Sequence, residues 1–173
     1  EDERRTSHSQ IRRGVKGAET ITQTEVRDYN LDGTLKSLSL YKDSTLRLVR
    51  PTPAILAALP KQSVTYFTGE NPLYSQSYSK GVVTQTSRFV IVGGLVTEIQ
   101  SFEDATERTS GLLPAVADLG RLQRIDYQEG EEDDRRTSHS QIHKGLKGAE
   151  TITQTEVRDY NEDGTLKSVS LYK

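Results

Sequence analysis

Two loops hold the residues best placed to do chemistry. Asp28, Asn30 and Asp32 stand at alternate positions ahead of Gly33, and Asp159, Asn161 and Asp163 stand the same way ahead of Gly164. Oxygen ligands at this spacing form the opening half of a calcium loop, which wraps a hard cation in carboxylate and carbonyl oxygens. Such a loop needs a bidentate glutamate at its twelfth position, where this chain has Ser39 and Ser170. The same residues suit a hairpin turn, because Asp and Asn tolerate tight-turn backbone angles and glycine adopts positive φ without strain. Two hairpin turns are therefore expected, with weak, millimolar-class calcium binding as the alternative.

The remaining candidates for chemistry are sparse. His8 and His139 lie in equivalent Ser-His-Ser triplets and His143 lies nearby, all within charged stretches that read as exposed connections. Hydrolytic chemistry needs a base oriented by a buried acid beside a nucleophile and an oxyanion hole. No Gly-x-Ser-x-Gly motif supplies one, so the expectation is a protein that is not an enzyme and takes no cofactor. The acidic run Glu131 to Asp134 ahead of Arg135 and Arg136 reads as a solvated connection with local charge pairing. Tyrosine dominates the aromatics, with eight Tyr against three Phe and no Trp. Tyr66 and Tyr127 occupy equivalent positions and are expected in a core. Tyr74 and Tyr78, in the hydroxyl-rich stretch Leu73 to Ser79, are expected to be exposed contact residues, since an amphipathic ring with a polar tip suits a contact surface.

The elements that must position these residues are dominated by repetition. Residues 1 to 42 return as residues 132 to 173 at a constant offset of 131, and only six of the 42 aligned positions differ. A weaker repeat at an offset of 61 pairs Pro53 with Pro114, Gln62 with Gln123, Val64 with Ile125, Tyr66 with Tyr127 and Gly69 with Gly130. This is the signature of a tandem-repeat protein, and the chain reads as roughly one and a third periods of a longer array. Thr52-Pro53 ahead of the apolar run Ala54 to Leu59, closed by Pro60, predicts a short helix with a hydroxyl cap and proline at its first position. Pro114 to Leu119 is expected to repeat it. Runs rich in Thr, Val and Ile separated by glycine turns predict strands, and Ile21 and Val26 lie on opposite parities, which a bulge would reconcile. The expected fold is α+β and β-rich: tandem modules of a short helix plus a four-stranded antiparallel meander, two layers each, stacked as an array. The expected divisions are a partial module over 1–42, a short module over 43–112 and a long one over 113–173.

Composition narrows the function classes. With no cysteine, neither a disulfide framework nor a thiolate metal site is available. A formal charge of -2, with basic residues interleaved among acidic ones, gives no basic face for nucleic acid. No apolar run approaches the roughly 20 residues of a membrane-spanning helix, so no membrane partner is expected. The hairpin Tyr29 to Leu35 is similar to the tyrosine-aspartate repeats of large bacterial shell proteins, over a small part of the period and at a different repeat spacing. The whole pattern of long, near-identical repeats, rich in Ser, Thr and charge and free of Cys and Trp, resembles the long-repeat cement proteins of barnacles. That resemblance implies a secreted, extracellular structural protein of an underwater adhesive, acting by self-association and surface contact. Its partners would be other copies of itself, neighbouring repeats, solid surfaces or other matrix proteins. An extracellular repeat that binds glycan or calcium is the alternative.

Overall fold

The computed structural model describes residues 5–109, 111–131 and 134–173. Eleven strands form an antiparallel sheet whose order follows the chain from β1 to β11. The first five are β1 His8–Arg13, β2 Thr20–Tyr29, β3 Leu35–Lys42, β4 Lys61–Thr68 and β5 Asn71–Ser79. The others are β6 Val82–Val92, β7 Leu95–Glu103, β8 Leu122–Glu129, β9 Arg136–Lys144, β10 Thr151–Tyr160 and β11 Leu166–Tyr172. The chain divides into two compact units, Glu1–Thr84 with Glu107–Gly111, and Gln85–Thr106 with Leu112–Lys173.

The expected α+β array of helix-plus-meander modules is not what forms. Among the described residues there is one α-helix, α1, Pro53–Ala58, and it buries none of its residues. Its cap is as expected: Thr52 Oγ1 accepts from Ile55 N at 3.4 Å, and Pro53 takes the first turn. Six residues make less than two turns, too little to cover a sheet face as a second layer. The corresponding stretch after β7 is only a 3₁₀ turn, Val116–Asp118, with no side-chain cap. Leu113 stands there where the helix has Thr52, so no hydroxyl accepts the free N–H groups, and Asp118 and Val116 are weak helix formers.

Two stretches read as exposed connections are strands, β1 and β9. Their polar side chains find partners across the ladder: Ser9 Oγ donates to Glu25 Oε1 at 2.9 Å, and Gln10 Nε2 donates to Thr24 Oγ1 at 2.9 Å. Hydrogen bonding thus replaces the apolar alternation that normally marks a half-buried strand. The bulge falls where parity demanded one. Ile11 pairs with Gln23 and Arg12 with Ile21, leaving Thr22 unmatched, and Thr153 is skipped in the same way between β9 and β10.

The core of unit 1 lies on one face of its strands. A cross-strand file runs from His8 through Val26, Ser39 and Val64 to Gln76, and a second runs from Asp28 through Ser37 and Tyr66 to Tyr74. Val26, Val64, Tyr66 and Tyr74 are buried beside buried Ser37, Ser39 and Gln76. A lean apolar content is therefore sufficient, because much of the buried set is polar and hydrogen-bonded, as Ser37 is to Asp28 and Gln76 to Arg108 N. In unit 2 the buried set includes Phe102 and Leu119 with Thr86, Ser87, Ser101, Asp104 and Ser140, and the Ser87 and Ser101 hydroxyls share a hydrogen bond of 2.9 Å.

Candidate functional site

Both Asp-x-Asn-x-Asp-Gly loops are hairpin turns, and in each the last aspartate spends one carboxylate oxygen inside the turn. Asp32 Oδ1 accepts from Thr34 N at 2.9 Å and from Thr34 Oγ1 at 2.7 Å, while Asn30 Nδ2 donates to Thr34 Oγ1 at 2.9 Å. Gly33, at φ 87°, closes the turn by donating its N–H to Asn30 O at 2.9 Å. The second loop repeats this, with Asp163 Oδ1 accepting from Thr165 N at 2.9 Å and Thr165 Oγ1 at 2.6 Å, and Asn161 Nδ2 donating to Thr165 Oγ1 at 2.9 Å. The threonine hydroxyl, then its backbone N–H, holds Asp32 and Asp163 below the ordinary carboxylate range. Asp28 and Asp159 face back along the strands, to Ser37 Oγ at 3.3 Å and Ser168 Oγ at 2.8 Å. Among the described residues no group of three or more acidic or histidine side chains gathers as a metal site.

Tyr74 and Tyr78 part company. Tyr74, expected at the surface, is wholly buried, because the register sets it opposite Tyr66 and the two rings stack with centroids 4.9 Å apart. Arg108 crosses beside this pair, its carbonyl accepting from Tyr66 Oη at 3.0 Å and its N–H donating to Gln76 Oε1 at 2.9 Å. Burial raises the pKa of Tyr66 and Tyr74, so both stay neutral phenols. Tyr78 is half-buried, packs against the same core and donates its hydroxyl to Glu107 Oε1 at 3.1 Å. The Lys61 ammonium stands 4.8 Å from the centre of its ring.

Tyr78 thereby borders a cleft of about 530 Å³ inside unit 1. One wall is apolar: Pro53, Leu56 and Leu59, carried by α1 and its exit. The facing wall is charged, with Asp28 paired to Arg50 at one end and Lys61 paired to Glu107 at 3.3 Å at the other. The turn that the sequence marked for calcium thus gives Asp28 to a cleft. Arg50, Lys61 and Glu107 could not be foreseen there, since Glu107 reaches Lys61 from 46 residues along the chain.

A second polar arrangement locks the segment that follows β3. Asp43 Oδ2 accepts from Thr24 Oγ1 at 2.9 Å and Arg47 Nε at 2.9 Å, and its Oδ1 accepts from Thr45 N at 3.0 Å. Gln10 completes the clasp, donating to Thr45 O at 2.8 Å and accepting from Arg47 N at 2.9 Å. In unit 2, Asp104 likewise accepts from Thr86 Oγ1 at 2.8 Å and Thr106 N at 3.0 Å. A signal for this was present in the sequence: Asp43-x-Thr45-x-Arg47 returns as Asp104-x-Thr106-x-Arg108 at the offset of 61.

The three histidines have different surroundings: His8 Nε2 lies 3.3 Å from Arg47 O, and His143 Nε2 is buried with no hydrogen-bond partner among the described residues. His139 stacks on Tyr127 with centroids 4.3 Å apart, in the register that Tyr74 and Tyr66 use in unit 1. Ser138 Oγ lies 3.1 Å from His139 Nδ1 and 3.4 Å from Tyr127 O, so this hydroxyl is shared between the ring and the ladder. Compared with known proteins, the chain matches no family model and no curated sequence.

Proposed function

We propose that this is a secreted structural protein of adhesive type that works by self-association and surface contact. One contrast carries the reading. Strands β3 and β11 share their sequence except for Leu38 against Val169, yet β3 is half to fully covered while β11 exposes Leu166, Val169, Leu171 and Tyr172. In unit 1, β4 pairs with β3 along Ser37 to Tyr41. In unit 2 the same side of β11 is where a β4-like strand, from an adjoining repeat or from another copy, would pair, and an apolar strand side of this kind recruits another strand.

The partner we assign is β11 of a second copy. Antiparallel pairing centred on Val169 sets Ser168 opposite Ser170, Lys167 opposite Leu171 and Leu166 opposite Tyr172, so no like charges face each other. Such an interface is isologous and closes as a twofold dimer. Sedimentation velocity over a concentration series tests the reading. A monomer–dimer equilibrium is expected, abolished by Val169→Lys with Leu171→Lys, together with loss of adsorption to silica and apolar films. A chain that stays monomeric at about 1 mM, where even a contact of roughly 4 kcal/mol would be populated, overturns it.

A further inference from the structure

We infer that the cleft between α1 and the β3–β5 face of unit 1 binds a neutral, hydroxyl-rich ligand of the saccharide class. Its volume of about 530 Å³ falls in the range of small-molecule sites, roughly 300 to 1,000 Å³. Its two walls differ in kind. Pro53 and Leu56 offer an apolar surface, the complement of the C–H face of a sugar ring, while the facing wall offers donors and acceptors side by side.

The charges decide the ligand's class. Each cation in the cleft already has an anion, Arg50 with Asp28 and Lys61 with Glu107, so the site as a whole is electrically balanced. A ligand with net charge gains little from a balanced set unless it exchanges for one member of a pair, and these pairs are too exposed for that exchange to yield much. A neutral ligand needs no such exchange. The pairs also leave valences open: Arg50 uses only Nη2 on Asp28, and Glu107 uses only Oε1, which accepts from both Lys61 and Tyr78. Arg50 Nε and Nη1, the remaining Lys61 protons and Glu107 Oε2 thus leave the cleft lined by several donors and an acceptor. A hydroxyl group, which donates and accepts at once, can satisfy both kinds, and charge-assisted hydrogen bonds to it are the stronger kind. Half-exposed side chains make the binding modest, because water competes for each group.

The experiment is a nuclear magnetic resonance titration of the isotopically labelled full chain with maltotriose, cellotriose and chitotriose. Trigalacturonate and the dipeptide Gly-Leu serve as anionic and zwitterionic probes. At least one neutral trisaccharide is expected to shift the amides of Arg50, Leu56, Lys61, Tyr78 and Glu107, saturating in the millimolar range. Arg50→Ala and Glu107→Ala, both at exposed positions, should each weaken that binding about tenfold or more while leaving the thermal melt unchanged. No shift at those amides with any neutral trisaccharide at about 50 mM overturns the inference. So do shifts that persist undiminished in both variants, or tighter binding of trigalacturonate or Gly-Leu than of all three neutral sugars. None of these outcomes touches the association at β11, which is read out by sedimentation.

Discussion

Asp43 has a side chain only 1% exposed and is held by three donors, Thr24 on β2 and Thr45 and Arg47 in its own segment. A buried carboxylate is tolerated only when such bonds replace its water, and losing one bond to a charged group costs about 1.5 to 3 kcal/mol. Asp43→Asn keeps the shape but loses the charge, and urea denaturation should show a loss of about 2 kcal/mol or more. Burial alone would raise the pKa of Asp43, but Arg47, Thr45 N–H and the Thr24 hydroxyl outweigh it and hold the value below the ordinary 3.8. A depressed folded pKa contributes stability that is fully present above the unfolded value and is lost as pH falls through the folded one. The difference in melting temperature between wild type and Asp43→Asn should therefore stay constant from neutral pH to about pH 5 and shrink below pH 4. A difference that does not change with pH would mean that the clasp holds by shape rather than by charge.

At the scale of the element, the twin segments separate what sequence specifies from what surroundings specify. Both copies form the same three strands, the same Asn-to-Thr turn and the same bulged threonine, so these features are local, and the hairpin with its turn and the bulge were readable from turn residues and parity. Burial does not travel with the sequence: Tyr41 is 8% exposed and its twin Tyr172 is 59% exposed. Tyr41→Ala should cost about 3 to 5 kcal/mol, as large-to-small core changes do, while Tyr172→Ala should change stability by about 0.5 kcal/mol or less. Equal costs, measured by chemical denaturation, would show that the segment's own ladder and not its neighbours sets its stability. The strands β1 and β9 escaped hydropathy because Ser, Gln, Glu and Arg hydrogen-bond across them, a pairing that becomes visible only once register is known. The helix expected at Pro114 failed for want of one hydroxyl at the cap.

At the scale of the whole molecule, short meanders were legible, but neither the eleven-strand order nor the layering was. Glycine turns between β-rich runs announce a meander, and the strands are indeed ordered as the chain runs. The second layer was inferred from helices that turn out as six residues and a single 3₁₀ turn. What stands in for that layer is polar. In unit 2, Arg124 donates to Asp126 at 2.7 Å, to Ser140 at 2.8 Å and to Glu156 at 3.0 Å, and Arg158 donates to Ser140 at 2.7 Å and Glu156 at 3.0 Å. This ladder joins β8, β9 and β10 on the face away from Tyr127 and His139. The cleft was the least legible feature, since its walls come from stretches that share no motif and meet only after the 43–60 segment is folded back.

The order of the strands also has a mechanical meaning. A strand bonded only to its neighbours in sequence can be peeled away from one side, loading one cross-strand pair at a time, rather than sheared with all its bonds loaded together. Stretching the molecule between residues 8 and 172 should therefore give a staircase of small yields in single-molecule force spectroscopy, not one tall peak. The Asp43 clasp ties β1, β2 and the segment after β3, so it should act as a ratchet stop, and the step it guards should vanish in Asp43→Asn. A single cooperative rupture would show that tension spreads through the side-chain ladders faster than it travels along the backbone. For a material under tension, the staircase is the tougher behaviour, because each small yield dissipates work while the rest of the sheet stays intact.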